Sequence, residues 1–299
     1  MNAISNYTYI TNYKDNNILR KSLNELTHNT YGFDFESWYK NGYWLDKYIP
    51  YSLVEGNRVI ANVSASIMDF EINGQKKQYI QLGTVMTTPE YRNQGLCRFL
   101  IQKVIHEWKE KVNGIYLFAN NTVLDFYPKF GFSQSVEYQY YKEIEISNLQ
   151  NPCKTLCKKV DMSNKFNQKI FIESINSSVS NTKLAMKNNI GLIMFYTTSF
   201  LKDCIYYIPK INTYAIAEIK GNILILHDVI SDQIINIELV IQAFHSFNIT
   251  KIELGFTPHD TEKYGVSLLQ ENDTILFILG KDLECIANNK MMFPTLSHA

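Results

Sequence analysis

The fold is indicated most clearly by one stretch of the chain, QLGTVMTTPEYRNQGLCRFL (residues 81–100). Its first part predicts a strand, which ends at Thr87-Thr88-Pro89 because proline cannot donate a hydrogen bond to a neighbouring strand. From Gly95 onward, apolar residues recur at helical spacing as far as Trp108. A short loop, residues 92–97, therefore leads directly from a strand into a helix.

This loop, RNQGLC, has the composition of an anion-binding turn. The first N–H groups of a helix have no partner within the helix, and the helix dipole adds positive potential at that end. Gly95 allows the backbone to approach an anion closely, and Arg92 adds a forked cationic group. A phosphate or pyrophosphate suits such a turn best. Taken alone, however, an ordinary strand–turn–helix connection is the simpler explanation of these residues.

Similar patterns predict the other elements of an α+β protein. In the first half we predict strands at residues 7–10, 50–54, 59–70, 77–86, 115–119 and 135–146, and helices at 18–29, 35–48, 96–108 and 122–130. In the second half we predict a hairpin at 214–219 and 223–229, a helix at 234–247, and strands at 251–256 and 274–279. The order of hairpin, strand, helix and strand occurs in both halves, which indicates a weak internal repeat. The polar stretch Ser147–Pro152 predicts a boundary that divides the chain into domains at residues 1–148 and 149–299.

Composition narrows the function classes. The 299 residues are 45% hydrophobic and 19% charged, which is typical of a globular protein. Lys plus Arg and Asp plus Glu both number 29, so the formal net charge is zero. A protein that binds nucleic acid or acidic membranes non-specifically needs a cationic excess, so we expect neither partner.

Two further features favour a cytoplasmic protein. The N-terminal residues lack the charged and apolar regions of a secretory signal, and the most apolar runs are too short to span a bilayer. The five cysteines are an odd number without a disulfide framework, and Cys153 and Cys157 lack a partner pair at zinc-site spacing. We therefore expect free thiols in a reducing compartment and no metal site.

Two runs together resemble motifs of the GCN5-related N-acetyltransferase (GNAT) superfamily. PEYRNQGLC (residues 89–97) resembles the family's Pro-x-x-Arg followed by Arg/Gln-x-x-Gly-x-Gly/Ala, with Cys97 where glycine or alanine is usual. FYPKFGF (residues 126–132) resembles the family's Tyr-x-Lys-x-Gly-Phe. The resemblance covers residues 1–146 and implies a mixed, mostly antiparallel sheet flanked by helices.

The resemblance also implies acetyl-CoA as the acyl donor. The pantetheine amides would pair with the strand at residues 85–87, like an added strand, and the pyrophosphate would lie on the backbone of residues 93–97. The residues implied to bind coenzyme A are Val85, Met86, Thr87, Arg92, Asn93, Gln94, Gly95, Leu96, Cys97 and Asn120. For Asn120, capping the next helix is an equally good explanation. Cys97 is better explained by packing than as a nucleophile.

The reaction implied is a direct attack of an amine on the acetyl group, through a tetrahedral intermediate. Tyr127 matches the family's general acid, which protonates the leaving thiolate, and a phenol with a pKa near 10 carries its proton at neutral pH. The alternative is that Tyr127 is a packed aromatic residue. The general base stays unassigned: the candidates are a water chain, the carboxylates Glu36, Glu55, Asp69 and Glu71, and, near the end of the chain, His298 or a terminal carboxylate.

The acceptor side is expected at YGFDFESWY (residues 31–39) and the adjoining Tyr43-Trp44, where aromatic faces and carboxylates suit a cationic amine. An aminoglycoside, a polyamine and a peptide amine all stay open, and at least half of these rings are better explained by packing. We therefore predict an acetyl-CoA-dependent N-acetyltransferase for a small-molecule or peptide amine. The alternative is a sensor that binds acyl-CoA without turnover.

The second half is predicted to be a degenerate GNAT-like α+β domain. Its corresponding loop, DVISDQ (residues 228–233), has two aspartates and neither glycine nor arginine, so we expect no coenzyme A there. Tandem domains with one degenerate copy occur in this superfamily, and the chain is distantly similar to the enhanced intracellular survival acetyltransferases. The sequence leaves open whether copies of the chain form a homo-oligomer.

Overall fold

The computed structural model describes residues 3–144 and 156–299. The strands are β1 (Thr8–Thr11), β2 (Tyr48–Glu55), β3 (Arg58–Ile72), β4 (Gln75–Thr87), β5 (Gly114–Ala119), β6 (Ser133–Gln134), β7 (Tyr138–Glu143), β8 (Lys158–Lys159), β9 (Leu184–Lys187), β10 (Ile205–Ile208), β11 (Thr213–Lys220), β12 (Ile223–Ile230), β13 (Lys251–Leu254), β14 (Gly265–Leu268) and β15 (Ile275–Leu279). The α-helices are α1 (Asn17–Tyr31), α2 (Glu36–Lys40), α3 (Leu96–Trp108), α4 (Lys165–Ser177), α5 (Ile190–Thr198), α6 (Ile237–Gln242) and α7 (Cys285–Asn288).

These strands form two mixed sheets. The first has the order β1-β2-β3-β4-β5-β15-β6, and β9 pairs with the far end of β3. The second has the order β14-β7-β13-β12-β11-β10-β8. Each sheet contains one parallel pair, β4 with β5 and β12 with β13, and the other pairs are antiparallel. The α+β class with a mostly antiparallel sheet and flanking helices is confirmed.

Each sheet is completed by a strand from the other half of the chain. β15 lies between β5 and β6 in the first sheet, and β7 lies between β13 and β14 in the second. The strand predicted at residues 135–146 is observed as β7, but it lies in the second sheet, because an alternating pattern predicts a strand and does not identify its neighbours. The predicted boundary at residues 148 and 149 lies outside the described residues and stays a prediction.

Three predicted helices differ from the observed structure. The predicted helix at 234–247 is α6 followed by a 3₁₀ helix, His245–Phe247. The predicted helix at 35–48 is only α2, because the chain turns at Gly42, where φ is +76°, and β2 begins at Tyr48. The predicted helix at 122–130 is two short 3₁₀ helices, Asn121–Val123 and Tyr127–Phe130. In the second half, α4, α5 and the strands β8, β9, β10 and β14 were not predicted, while the hairpin of β11 and β12 was.

Helix α3 packs on the first sheet and thereby positions its own N-terminus. Leu96, Leu100, Ile101 and Val104 form its buried face and join the core made by β2 to β5. This packing fixes the start of α3 beside the ends of β4 and β5, where a cleft opens. No helix among residues 3–144 and 156–299 is long and apolar enough to cross a membrane.

Candidate active site

The cleft begins where β4 and β5 diverge. Tyr79–Leu82 pair with Gly114–Leu117, and the ladder between the two strands stops there. On its other side, β4 bulges: Gly83 pairs with Ser64 and Met86 pairs with Asn62, so Thr84 and Val85 together lie opposite Val63 and β4 has one extra residue. A bulge of this kind turns main-chain groups away from the ladder. The backbone of β4 is therefore available to a ligand on the side that faces β5.

The bulge holds Thr84 in an uncommon conformation. Its φ is +41°, a region that a β-branched residue occupies only when the surroundings enforce it. Asn62 Nδ2 donates to Thr84 O at 3.0 Å, Thr84 Oγ1 donates to Ser64 Oγ at 2.6 Å, and the Tyr48 hydroxyl lies 2.8 Å from Thr84 Oγ1. Asn62 and Ser64 are fully buried. This buried network, which the sequence did not reveal, stabilises the bulge.

The turn before α3 leaves helix donors free. Asn93 and Gly95 have φ values of +61° and +77°, and Gly95 is the N-cap residue, so no side chain caps the helix. A side-chain atom at Gly95 would point into open space, so the turn is accessible from outside. Arg92 lies beside it and is exposed, with Nε donating to Thr87 O at 3.3 Å.

A cavity of about 750 Å³ joins the bulge to this turn. It is lined by Tyr127 and by nine of the ten residues expected to bind coenzyme A: Val85, Met86, Thr87, Arg92, Asn93, Gly95, Leu96, Cys97 and Asn120. Gln94 does not line it, because its side chain turns away and accepts a hydrogen bond from the Tyr7 hydroxyl. Asn120 Oδ1 accepts from Thr122 N at 3.1 Å, so its side chain caps the 3₁₀ helix that follows.

Cys97 is held as a packed thiol. Its Sγ donates to Met86 O at 3.2 Å and lies 3.0 Å from Thr87 Oγ1. Burial raises the pKa of the Cys97 thiol, so it is protonated at neutral pH and is no nucleophile.

Tyr127 is buried in the wall of the same cavity. Its ring packs edge-on against Phe126 at 5.3 Å and lies 5.5 Å from Phe277 of β15. Burial raises the pKa of the Tyr127 hydroxyl, which therefore keeps its proton at neutral pH. A second tyrosine is also nearby: the Tyr31 hydroxyl donates to Val85 O at 3.2 Å.

A second cavity, of about 450 Å³, adjoins the first. The two share six lining residues: Tyr31, Leu82, Gly83, Thr84, Phe118 and Thr274. The wall of the second cavity is rich in aromatic rings from both halves of the chain. Of the aromatic residues expected on the acceptor side, Tyr31, Phe33, Phe35 and Trp38 line it. The carboxylates considered as bases, Glu36, Glu55, Asp69 and Glu71, line neither cavity.

The last residues of the described chain form part of this wall. Ala299 N donates to Gln81 Oε1 at 3.0 Å, and a Cβ at Gly83 would lie 2.6 Å from Ala299 O, so the approach requires glycine. The His298 ring stacks on Phe118 at 4.0 Å. Burial lowers the pKa of His298 to about 4, so its ring is neutral at pH 7 and a weak base.

Sequence reasoning missed the residues that the second half contributes. Phe195 and Tyr196 lie in α5, and Phe200 comes just after it. Glu271 and Thr274 lie just before β15. The apolar pattern of residues 275–279 indicated a strand, but nothing in the sequence indicated that it pairs with β5. Among the described residues there is no group of three or more His, Cys, Asp or Glu side chains placed to hold a metal.

Comparisons with known proteins agree with this geometry. Residues 18–135 match the model of the acetyltransferase (GNAT) domain family. No curated protein sequence matches the chain. A probable N-acyltransferase of unknown function from Enterococcus faecalis V583 is 14% identical, with a TM-score of 0.57, and the match covers 90% of this chain and 72% of that one.

Two further solved structures are similar. A GCN5-related N-acetyltransferase from Kribbella flavida is 11% identical, with a TM-score of 0.53 and coverage of 91% of this chain and 71% of that one. Eis1 from Mycobacterium abscessus is 10% identical, with a TM-score of 0.48 and coverage of 90% and 73%. The family match and the cleft lead to one conclusion: residues 18–135 of the chain form a domain of the acetyltransferase (GNAT) family.

Proposed function

We propose that the protein transfers an acetyl group from acetyl-CoA directly to the amine of a small molecule or peptide. The observation that supports this most is the meeting of two cavities at one short segment, Leu82–Thr84. One cavity has the features of a coenzyme A cleft, and the other is a separate pocket that an acceptor can enter. Two substrates bound on either side would have their reacting atoms at this junction.

The first cavity fits the donor in two places. The pantetheine amides can pair with the free main chain of β4 near residues 85–87, as an added strand does. The pyrophosphate can accept hydrogen bonds from the N–H groups of residues 93–97, where no side chain caps α3. Arg92 is close enough to add a charge-assisted contact, once it leaves Thr87 O. In this proposal Gln94 contributes its main chain only.

The chemistry needs three proton-handling steps from this chain and its water. The protonated amine first loses one proton to water, and the neutral amine attacks the acetyl carbonyl, whose oxygen is stabilised by main-chain N–H groups of the β4 bulge. The C–S bond then breaks as Tyr127 donates its proton to the departing thiolate. The nitrogen of the new amide releases its second proton, which returns Tyr127 to its protonated form. The Tyr127 hydroxyl is protonated at neutral pH because burial raises its pKa. No covalent bond to the enzyme forms, which agrees with the protonated, inward-facing Cys97.

The second half has a supporting role in this proposal. We infer two domains, 1–148 and 149–299, of which only the first binds coenzyme A, while the second supplies β15 and a wall of the acceptor cavity. The four cysteines in the described part, Cys97, Cys157, Cys204 and Cys285, are unpaired, which supports a cytoplasmic location, and Cys153 lies outside the described residues. Neither nucleic acid nor a membrane is required as a partner.

The experiment follows coenzyme A release with a thiol reagent, for a panel of amines offered with acetyl-CoA. We expect turnover with at least one amine, and we expect Tyr127→Phe to lower kcat by about 100-fold, a common effect of losing a general acid. Acetyl-CoA should bind this variant as tightly as the wild type. Tyr206→Phe, in a packed tyrosine of the second half, is the matched control and should leave kcat unchanged. A Tyr127→Phe enzyme with wild-type kcat across the pH range would remove Tyr127 as the acid.

A binding module without turnover is the second candidate. It is favoured by one observation: the four carboxylates considered as bases line neither cavity, and His298 is a weak base. Saturable acetyl-CoA binding with no release of coenzyme A for any amine would support this candidate.

A further inference from the structure

Building on the proposed function, we propose that the acceptor cavity selects an amine with a single positive charge on an aromatic or similarly flat apolar body, and that Glu271 binds its ammonium group. The sequence left aminoglycosides, polyamines and peptide amines equally open. Three features of the cavity distinguish among them: its rings, its charges and the place of its carboxylate.

The wall of the cavity is mainly aromatic. Nine of its lining residues are phenylalanine, tyrosine or tryptophan: Tyr31, Phe33, Phe35, Trp38, Tyr48, Phe118, Phe195, Tyr196 and Phe200. At the mouth, Tyr31 and Phe200 are 48% and 57% exposed, so their faces are open to a ligand. Phe33 stands between them, 6.1 Å from Tyr31 and 5.7 Å from Phe200. Such a surface gains most from an aromatic body, through ring packing and removal of apolar area from water.

The charged side chains in the wall offer a partner to one cation. Among the side chains of the described residues that line the cavity, Glu271 has the one carboxylate and Lys47 the one formal cation. Lys47 Nζ already pairs with Asp69 Oδ2 at 2.6 Å, so the charge of Lys47 is neutralised by a carboxylate that does not line the cavity. Glu271 has no ion-pair partner within the described part of the chain. One ammonium therefore finds a free carboxylate, whereas further ammonium groups of a polycation would be desolvated without one.

Glu271 lies close to the place of reaction. It pairs across a tight turn with Thr274. Thr274 lines both cavities. An ammonium held by Glu271 is thus next to the junction where the acetyl group is expected, with its apolar body directed toward the rings. In a monoamine, this nitrogen is also the nucleophile, after it has released one proton.

The test compares amines of different charge on the intact protein. We expect kcat/KM for 2-phenylethylamine to exceed that for spermidine and for kanamycin by about tenfold or more, because the polycations leave charges unpaired in the cavity. A higher kcat/KM for either polycation would overturn the inference. If no amine is turned over, the proposed function fails, but the inference is still tested by calorimetry. With coenzyme A present, 2-phenylethylamine should bind more tightly than spermidine, and the reverse order would overturn the selectivity.

A pair of variants tests the role of Glu271. Glu271→Gln should raise KM for 2-phenylethylamine by about tenfold, the usual scale for losing a charged hydrogen-bond partner, with a smaller effect on kcat. The Kd for acetyl-CoA should stay the same, which separates an acceptor effect from misfolding. Glu173→Gln, on the exposed side of α4, is the matched control and should leave KM unchanged. An unchanged KM in Glu271→Gln would remove this residue as the ammonium partner.

Discussion

The two parallel strand pairs of the described molecule are equally long, but the helices that follow them differ. β4 and β5 pair over four residues, and so do β12 and β13. After β4 the chain turns through Asn93 and Gly95 into α3, which has 13 residues and no side-chain cap. After β12 it runs into α6, which has six residues and is capped by Asn236, whose Oδ1 accepts from Glu238 N at 3.1 Å.

This difference supports the anion site that we propose for the first half. In the second half, the Asn236 side chain uses a helix donor, and Glu238 adds negative charge in the first turn. In the first half, the donors stay free and the turn is open. Both halves thus have separating parallel strands, and in our proposal only the uncapped helix N-terminus of the first half binds a phosphate.

The largest expected effect comes from placing the same side chain at two glycine turns, one before α3 and one in the second half. Gly95→Val should weaken acetyl-CoA binding by about 100-fold, because valine is strained at φ +77° and would displace the N–H groups of the proposed pyrophosphate site. Gly221→Val is the matched control, since Gly221 has φ +62° and similar open space in the hairpin of β11 and β12. Both variants should lose similar stability in thermal unfolding. Equal Kd values for acetyl-CoA in the two variants would contradict the account.

The bulge of β4 provides the next test. Asn62→Val removes the donor to Thr84 O and leaves a buried carbonyl unpaired, which costs about 1–3 kcal/mol of stability. We expect kcat/KM to fall by about tenfold, since small displacements of reacting groups are costly. Thr213→Val removes a buried hydroxyl that donates to Ile211 O in the second sheet and should lower stability without changing kcat/KM. Equal kcat/KM losses in both variants would indicate a general loss of packing instead.

The smallest expected effect is on stability, at the segment that connects β6 of the first sheet to β7 of the second. Glu137 lies between β6 and β7, its carboxylate accepts from Phe293 N at 2.7 Å, and burial raises its pKa to about 8. Because the folded state keeps a proton that the unfolded state loses above the ordinary pKa of 4.5, stability from this group falls as pH rises from 4.5 to 8.

Glu137→Gln should therefore raise Tm relative to the wild type by a few degrees at pH 8.5, and by less at pH 5. Asp228→Asn in the second half is the matched variant. Burial raises the pKa of Asp228 to about 6, so the increase in Tm of this variant over the wild type should reach its full size by pH 7. A pH-independent difference between Glu137→Gln and the wild type would show that Glu137 does not titrate in this range.

Local patterns predicted the elements that form the donor cleft. Strand 77–86, the turn with Gly95 and the helix to Trp108 were predicted because each depends on neighbouring residues. The bulge at Thr84 and the network of Asn62, Ser64 and Tyr48 were not, since they depend on side chains far apart in sequence. Gln94 was expected in the cleft from its place in the motif, yet Tyr7 draws its side chain away.

The acceptor cavity was the least predictable part. Its aromatic residues from 31–38 stood out in the sequence, but their partners Phe195, Phe200 and Glu271 come from the second half. They reach the site because β15 pairs with β5, and a strand pattern carries no information about its neighbours.

The most direct measurement is a crystal structure of the protein with acetyl-CoA. The account predicts the pyrophosphate on the N–H groups of residues 93–97, and the thioester at Leu82–Thr84, between the two cavities. A pyrophosphate bound elsewhere, with the turn at Gly95 empty or filled by the Cys97 side chain, would contradict it.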